Sequence, residues 1–175
     1  MRDDQVLAAA KTRPEVLGVL YERHAPAVLR FLVRRVGAAA AEDLLGEVFT
    51  AAVAGRLRVR PHESGSALPW LYGIAGNVVR EHLRRRPSVS LYDGEETVDW
   101  DAVDARLDAD AQRDGLRLAL QSLTTAEKEL LLLVAWEGLS PAEAGTVLGL
   151  SPVAARSRLH RARQRAQASL TKVST

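Results

Sequence analysis

The chain has 175 residues, of which 47% are hydrophobic and 26% charged, and this composition is typical of a folded globular protein. It excludes a largely disordered chain and a membrane span, because the longest apolar run, Leu130 to Trp136, is too short to cross a bilayer. Cysteine is absent, which excludes disulfides and thiolate metal sites.

The net charge of +2 hides an uneven distribution along the chain. Residues 88–112 contain eight acidic side chains and one arginine, a net charge of −7, so the remainder carries about +9. No acidic residue follows Glu143. The chain therefore consists of two basic segments that flank an acidic one.

Helix start and stop signals recur along the first segment, and they predict an all-α fold. The capping box Thr12 to Glu15 predicts the start of a first helix with an apolar stripe at Leu17, Leu20, Tyr21, Val28 and Leu32, which Gly37 ends. A second helix is expected from about Ala40 to Ala54, with its inner side formed by Leu44, Leu45, Val48 and Phe49. After a loop at 56–66, Ser66 and Pro69 open a third helix, closed by Pro87, whose inner face is Leu71, Ile74, Ala75, Val78 and Leu83. Residues 12–87 are thus predicted to be one helical domain.

The acidic segment 88–112 contains too few large apolar residues to form a core, and we expect it to be a flexible linker. A second small domain is predicted over 113–172, with helices near 113–122 and 125–137. The sequences Thr124 to Glu127 and Ser140 to Glu143 are further capping boxes, and Ser151-Pro152 starts a last, long helix. Gly149, Leu150 and Ser151 separate the last two helices, which is the spacing of a helix-turn-helix.

The last helix has two contrasting faces. One stripe is apolar, namely Ala155, Leu159, Ala162, Ala166 and Leu170, and the opposite arc is basic. From Pro152 onward the helix contains seven Arg, Lys or His residues and no acid, so their repulsion is not relieved within the helix. A basic face is often only a solvated surface, but here the charge together with the turn spacing predicts DNA binding.

Three stretches carry a resemblance to a known family. The stretch from Leu139-Ser140-Pro141-Ala142-Glu143 to Arg161-Ala162-Arg163 looks like region 4 of the extracytoplasmic-function (ECF, group 4) sigma factors of the sigma-70 family. Ala41-Glu42-Asp43-Leu44-Leu45-Gly46-Glu47-Val48-Phe49 is similar to region 2.2. Trp70 to Asn77, leading to Arg84-Arg85-Arg86, resembles regions 2.3 to 2.4. Three motifs in the right order are more specific than a lone helix-turn-helix.

The resemblance implies an RNA polymerase sigma factor that directs promoter-specific transcription initiation. Its first domain would read the −10 element through Asn77, Arg80, Arg84, Arg85, Arg60 and His62. Its second domain would read the −35 element through Arg156, Ser157, Arg158, His160, Arg161 and Arg165. Asp43, Leu44, Glu47 and Phe49 would bind the polymerase.

The partners implied by the resemblance are promoter DNA, core RNA polymerase and an anti-sigma factor. On the polymerase, the contacts would be the clamp helices of the largest subunit and the flap of the second-largest subunit, with the linker in the active-site cleft. We expect no enzymatic activity, cofactor or metal, because the four histidines are scattered and no catalytic motif is present. The N-terminus lacks the hydrophobic segment of a secretory signal, which predicts a cytoplasmic protein without membrane insertion.

Several positions depart from the family pattern or leave their role open. Gly46 stands where Gln is common, which is expected to weaken its helix and soften polymerase docking. Gly145 replaces an Ala, and Ala154 lacks a phosphate-contacting hydroxyl, so promoter affinity or sequence preference is expected to be unusual. Trp70 is expected to be core or partly buried rather than to contact a base, and Tyr72 is undecided.

Two other functions fit parts of the sequence. A conventional regulator would use the helix-turn-helix as its only DNA reader, and would bind a palindromic site without polymerase. An interaction protein that inhibits polymerase would not depend on the basic face of the last helix. Asp43 and Glu47 could also be an ordinary solvent-exposed pair without a binding role. The acidic segment 88–112 could likewise be a simple tether that its own charge repulsion keeps extended.

Overall fold

The computed structural model describes residues 1–85 and 119–173, with side chains described up to residue 169. These residues fall into two compact units, and within the described ranges all regular secondary structure is helical. The predicted all-α, two-domain fold is therefore confirmed. Arg86, the predicted linker and the first part of the helix expected near 113–122 lie outside the described residues.

The first unit contains four α-helices and a 3-10 turn. The helices are α1 (Asp3–Ala10), α2 (Gly18–Val36), α3 (Ala38–Gly55) and α4 (Leu68–Arg85), and the 3-10 turn (Pro14–Leu17) leads into α2. Helices α2, α3 and α4 pack on one another around fully buried side chains that include Leu20, Val28, Phe31, Leu32, Val48, Leu71, Tyr72 and Val79. The Tyr72 ring stacks on the Phe31 ring with centroids 5.0 Å apart, which identifies Tyr72 as a core residue.

The start of the first unit differs from the prediction. Helix α1 was not expected, and it occupies the residues before the predicted capping box. The Thr12 hydroxyl consequently donates to the Ala9 carbonyl at the end of α1, at 3.3 Å, and does not cap the next helix. The predicted inward position of Tyr21 is also wrong, because its side chain is 47% exposed.

Helix α4 is rotated slightly from its predicted orientation. Its buried line runs through Leu71, Ala75 and Val79, one position every four residues, whereas Ile74, Val78 and Leu83 are only half-buried. Packing against both α2 and α3 selects this line, and also buries Tyr72. Trp70 is half-buried, as expected.

In the second unit, residues 119–121 are helical and are followed by α5 (Thr125–Ala135), α6 (Pro141–Val147) and α7 (Pro152–Val173). The capping boxes at Thr124 and Ser140 are both formed, and both were predicted. Helix α5 ends two residues earlier than expected, before Trp136. The core is formed by Leu120, Leu123, Leu130, Leu133, Ala155, Leu159 and Ala162.

The turn between α6 and α7 depends on two glycines. Gly149 has a φ of 68°, a conformation that side chains other than glycine rarely adopt, and it reverses the chain. Gly145 faces α7 so closely that a Cβ atom there would lie 2.8 Å from the Ala155 Cβ atom. The helix-turn-helix is therefore packed with almost no space between its two helices.

Candidate functional site

The outward face of α7 is the most cationic surface described in the second unit. The N-terminus of the helix is capped by the Ser151 hydroxyl, which accepts a hydrogen bond from the Ala154 amide at 3.2 Å. Ala155, Leu159 and Ala162 are buried against α5 and α6, as the sequence predicts, and Ala166 is half-buried. The opposite face is thereby fixed toward solvent.

The predicted −35 residues all lie on α7, but not in equivalent settings. Arg156, Ser157, His160 and Arg161 are exposed, and Arg158 is half-buried. These side chains share an arc of one helix, so a single groove of a nucleic acid could meet them together. Their side chains supply donors that suit phosphate and base edges.

Arg165 is held by an ion pair whose acidic partner lies on another helix, 38 positions earlier in the chain. Its guanidinium contacts both carboxylate oxygens of Glu127 on α5, at 3.0 and 2.9 Å. Burial of the Glu127 carboxyl would raise its pKa, but hydrogen bonds from the Thr124 amide and hydroxyl, together with the charges of Arg165 and Arg161, lower the pKa below its ordinary value. A partner from another helix thus relieves part of the repulsion on α7.

The predicted −10 residues lie on α4 and on the loop before it. Asn77 and Arg80 are exposed and hydrogen-bonded to each other. Arg84 and Arg85 are exposed one turn further, and both contact the Glu81 carboxylate, with Nε–O distances of 3.0 and 2.7 Å. The outward end of α4 is therefore a row of polar and basic side chains.

The loop supplies the other two predicted −10 residues. Arg60 is exposed, and His62 is half-buried with its Nδ1 atom 2.9 Å from the Ser64 hydroxyl. The Ser64 amide also donates to this nitrogen, at 3.1 Å. These bonds give the loop a defined turn beside the start of α4.

Asp3 fixes the end of this loop, and sequence reasoning missed it. The buried Asp3 carboxylate accepts a hydrogen bond from the Ala67 amide at 2.9 Å, and His24 Nε2 lies 2.7 Å from the same oxygen, Oδ2. Arg23 also donates a hydrogen bond to this carboxylate. Burial would raise the pKa of Asp3, but these hydrogen bonds lower it below its ordinary value. The only local signal for this contact is the pair of acidic residues Asp3-Asp4 at the start of α1, because the partners of Asp3 lie twenty or more positions away along the chain.

The predicted polymerase-binding residues divide into exposed and buried members. Asp43 and Glu47 are exposed on one side of α3. Leu44 is only 3% exposed and belongs to the core, so it supports the helix rather than presenting a contact surface. Phe49 is half-buried and meets the Tyr21 ring edge-to-face, with centroids 4.8 Å apart.

The described ranges 1–85 and 119–173 also bear on metal sites and membrane spans. There, His, Asp and Glu side chains do not gather in threes in a way that could hold a metal ion. Among the same residues, none of the helices has the length and apolar character needed to span a bilayer.

Comparisons with known proteins match both units. The family model for sigma-70 region 2 matches residues 20–88, and the model for sigma-70 region 4 matches residues 113–165. The RNA polymerase sigma factor CarQ of Myxococcus xanthus is 40% identical over 144 residues, which cover 81% of this chain and 82% of CarQ. The ECF RNA polymerase sigma factor SigC of Mycobacterium tuberculosis is 32% identical over 162 residues, covering 90% of this chain and 84% of SigC.

Solved structures agree with these matches. CnrH, determined in complex with the cytosolic domain of CnrY, is 26% identical with a TM-score of 0.64, and the match covers 97% of each chain. The sigma factor RpoE of Bartonella quintana, determined with the anti-sigma factor NepR, is 21% identical with a TM-score of 0.56 over 89% of this chain and 96% of its own, and it supports the fold alone. Sequence motifs, fold and relatives therefore agree that this chain belongs to the ECF group of the sigma-70 family of RNA polymerase sigma factors.

Proposed function

We propose that this sigma factor directs core RNA polymerase to promoters by dividing the reading of DNA between its two units. Residues 113–172 bind the −35 element through the outward face of α7. Residues 12–87 bind the −10 element through α4 and its preceding loop, and residues 88–112 link the two domains. The protein acts in the cytoplasm by binding polymerase and promoter DNA, and the polymerase catalyses RNA synthesis.

The observation that carries the proposal is the fixed, arginine-rich face of α7. The buried stripe of the helix leaves Arg156, Ser157, His160 and Arg161 outward together. Arginine pairs bidentately with guanine in the major groove and also neutralises phosphate. Arg165 contributes to this face mainly through its ion pair with Glu127, which sets the position of α7.

The first unit supports a parallel role at the −10 element. Arg80, Arg84 and Arg85 form a cationic row along α4 that suits a phosphate backbone, with Asn77 beside them as a base-contacting amide. Arg60 and His62 extend this row onto the loop. Asp43 and Glu47 on α3 have the opposite charge, and we assign them to the clamp helices of the polymerase.

An anti-sigma factor is the further partner that we propose. CnrH, which this chain resembles over nearly its whole length, was determined with the cytosolic domain of CnrY. An anti-sigma factor bound to this chain would cover the surfaces assigned to polymerase. The flap of the second-largest polymerase subunit is the proposed contact of the second unit.

Run-off transcription tests the proposal. Purified chain and core polymerase are supplied with a promoter library from the source genome, and we expect initiation at promoters that share one −35 and −10 pattern. Gel shifts with and without core enzyme provide the control, because a conventional palindrome-binding regulator would bind duplex DNA alone. Failure to associate with core enzyme, or start sites that do not depend on the chain, would contradict the proposal.

A further inference from the structure

Val153 is an apolar side chain in an unusual place. It lies in the first turn of α7, directly after Pro152, and is 69% exposed. The other exposed large hydrophobic residues among the described side chains belong to the first unit, namely Met1, Tyr21, Val53 and Leu57. Burial of such a side chain on a partner is favourable, so its position indicates what α7 meets.

The helical period places Val153 on the central line of the outward face. Residues that follow it at intervals of four and three lie on the same line, opposite the buried Ala155, Leu159 and Ala162. All members of this line are exposed, namely Val153, Ser157, His160 and Gln164. Arg156 and Arg161 lie on either side, so a line without arginine or lysine runs between two cationic margins.

This arrangement matches a helix that lies in the major groove of DNA. The central line then faces the base edges, and the margins face the phosphates of the two strands. Residues in the first turns of a recognition helix are those that reach the base edges. Valine offers no hydrogen bond, and the apolar group that base pairs present in this groove is the C5-methyl group of thymine.

We propose that Val153 contacts the C5-methyl group of a thymine in the −35 element and thereby helps to set promoter sequence preference. This inference rests on the proposed function of α7. The surroundings of Val153 favour DNA over a protein partner, because its neighbours on the next turn are Arg156 and Ser157. Protein interfaces are centred on contiguous apolar residues, and this valine has no apolar neighbour on the outward face of α7 among the described side chains.

The contact is tested by removing methyl groups from the protein, with Val153→Ala, and from the DNA, with deoxyuridine in place of thymine. Fluorescence anisotropy measures binding of holoenzyme, wild-type or Val153→Ala, to a promoter fragment identified by run-off transcription. Each −35 thymine, on either strand, is replaced in turn by deoxyuridine, which lacks only the C5-methyl group. Val153→Ala leaves the fold intact because the side chain is exposed, and an unchanged unfolding midpoint verifies this.

The expected result is a coupled loss at one thymine. Deoxyuridine there lowers wild-type affinity about fourfold, and Val153→Ala lowers affinity for the thymine promoter by about the same factor. The variant on the deoxyuridine promoter shows no further loss. Val53→Ala, which removes an exposed valine from the first unit, serves as the matched control and keeps the deoxyuridine effect unchanged.

Three results would overturn the inference: no −35 thymine whose methyl group matters, independent losses from the two changes, or full affinity in Val153→Ala. Arg161→Ala, measured in parallel, separates this inference from the function on which it rests. If Arg161→Ala weakens binding while Val153→Ala does not, the valine contact alone is wrong. If neither substitution weakens binding, the −35 role of α7 is wrong as well.

Discussion

Substitution of Gly145 by alanine should weaken the second unit, although alanine is the better helix former. The added Cβ atom would lie 2.8 Å from the Ala155 Cβ atom and 3.3 Å from the Leu150 carbonyl oxygen. Both neighbours belong to the packed turn motif and cannot rotate away, so α6 and α7 have to separate. Overpacking of this kind costs about 1–3 kcal/mol, against about 1 kcal/mol gained in helix propensity. We therefore expect a net loss of about 1 kcal/mol in the free energy of unfolding.

Gly46 provides a matched control. It also lies inside a helix, but a Cβ atom there would meet nothing within 4 Å. Gly46→Ala should therefore stabilise the first unit by about 1 kcal/mol, the opposite sign to Gly145→Ala. Native-state hydrogen exchange distinguishes the two units, because amides of α7 such as those of Leu159 and Ala162 report the second unit alone.

The double substitution Gly145→Ala with Ala155→Gly tests the cause. It moves one methyl group from α7 to α6, removes the clash and leaves total helix propensity nearly unchanged. The double variant should therefore be more stable than the sum of the two single effects by at least about 1 kcal/mol. Additive effects, or a stabilised Gly145→Ala protein, would refute the packing argument.

Three further predictions concern the charged residues. Asp3→Asn should destabilise the first unit at pH 7. Because the pKa of Asp3 is lowered in the folded state, the ionised carboxylate stabilises the fold at neutral pH, and this stabilisation is lost as the pH falls below about 4. Urea unfolding curves of the variant and the wild type should therefore converge in acid. Glu127→Gln should destabilise the second unit by about 1–3 kcal/mol in the same measurement, and an unchanged midpoint would show that the ion pair with Arg165 contributes nothing. Arg161→Ala should weaken promoter binding by holoenzyme by about 1–3 kcal/mol, and equal affinity would remove Arg161 from the interface.

Much of the fold follows from local signals. The capping boxes at Thr124 and Ser140 are short-range hydrogen-bond patterns, and they formed where the sequence placed them. The apolar stripe of α7 is equally local, because the helical period alone brings Ala155, Leu159 and Ala162 to one face. Family motifs in the right order then identified the chain, since they depend on residue identity rather than on contacts.

Contacts between distant parts of the chain were decided by tertiary structure alone. Burial of Asp3 against His24 and Ala67 joins residues 21 and 64 positions apart, and no periodic pattern encodes such a meeting. The pairing of Glu127 with Arg165 and the clearance at Gly145 likewise depend on how helices pack. The sequence by itself therefore determined most of the helices and the buried stripe of α7, because these follow from short-range hydrogen bonding and period, whereas α1 and the buried line of α4 emerged only in the folded structure. Packing decided which charged groups are paired and how closely the helices approach, because those properties arise only once the chain has folded.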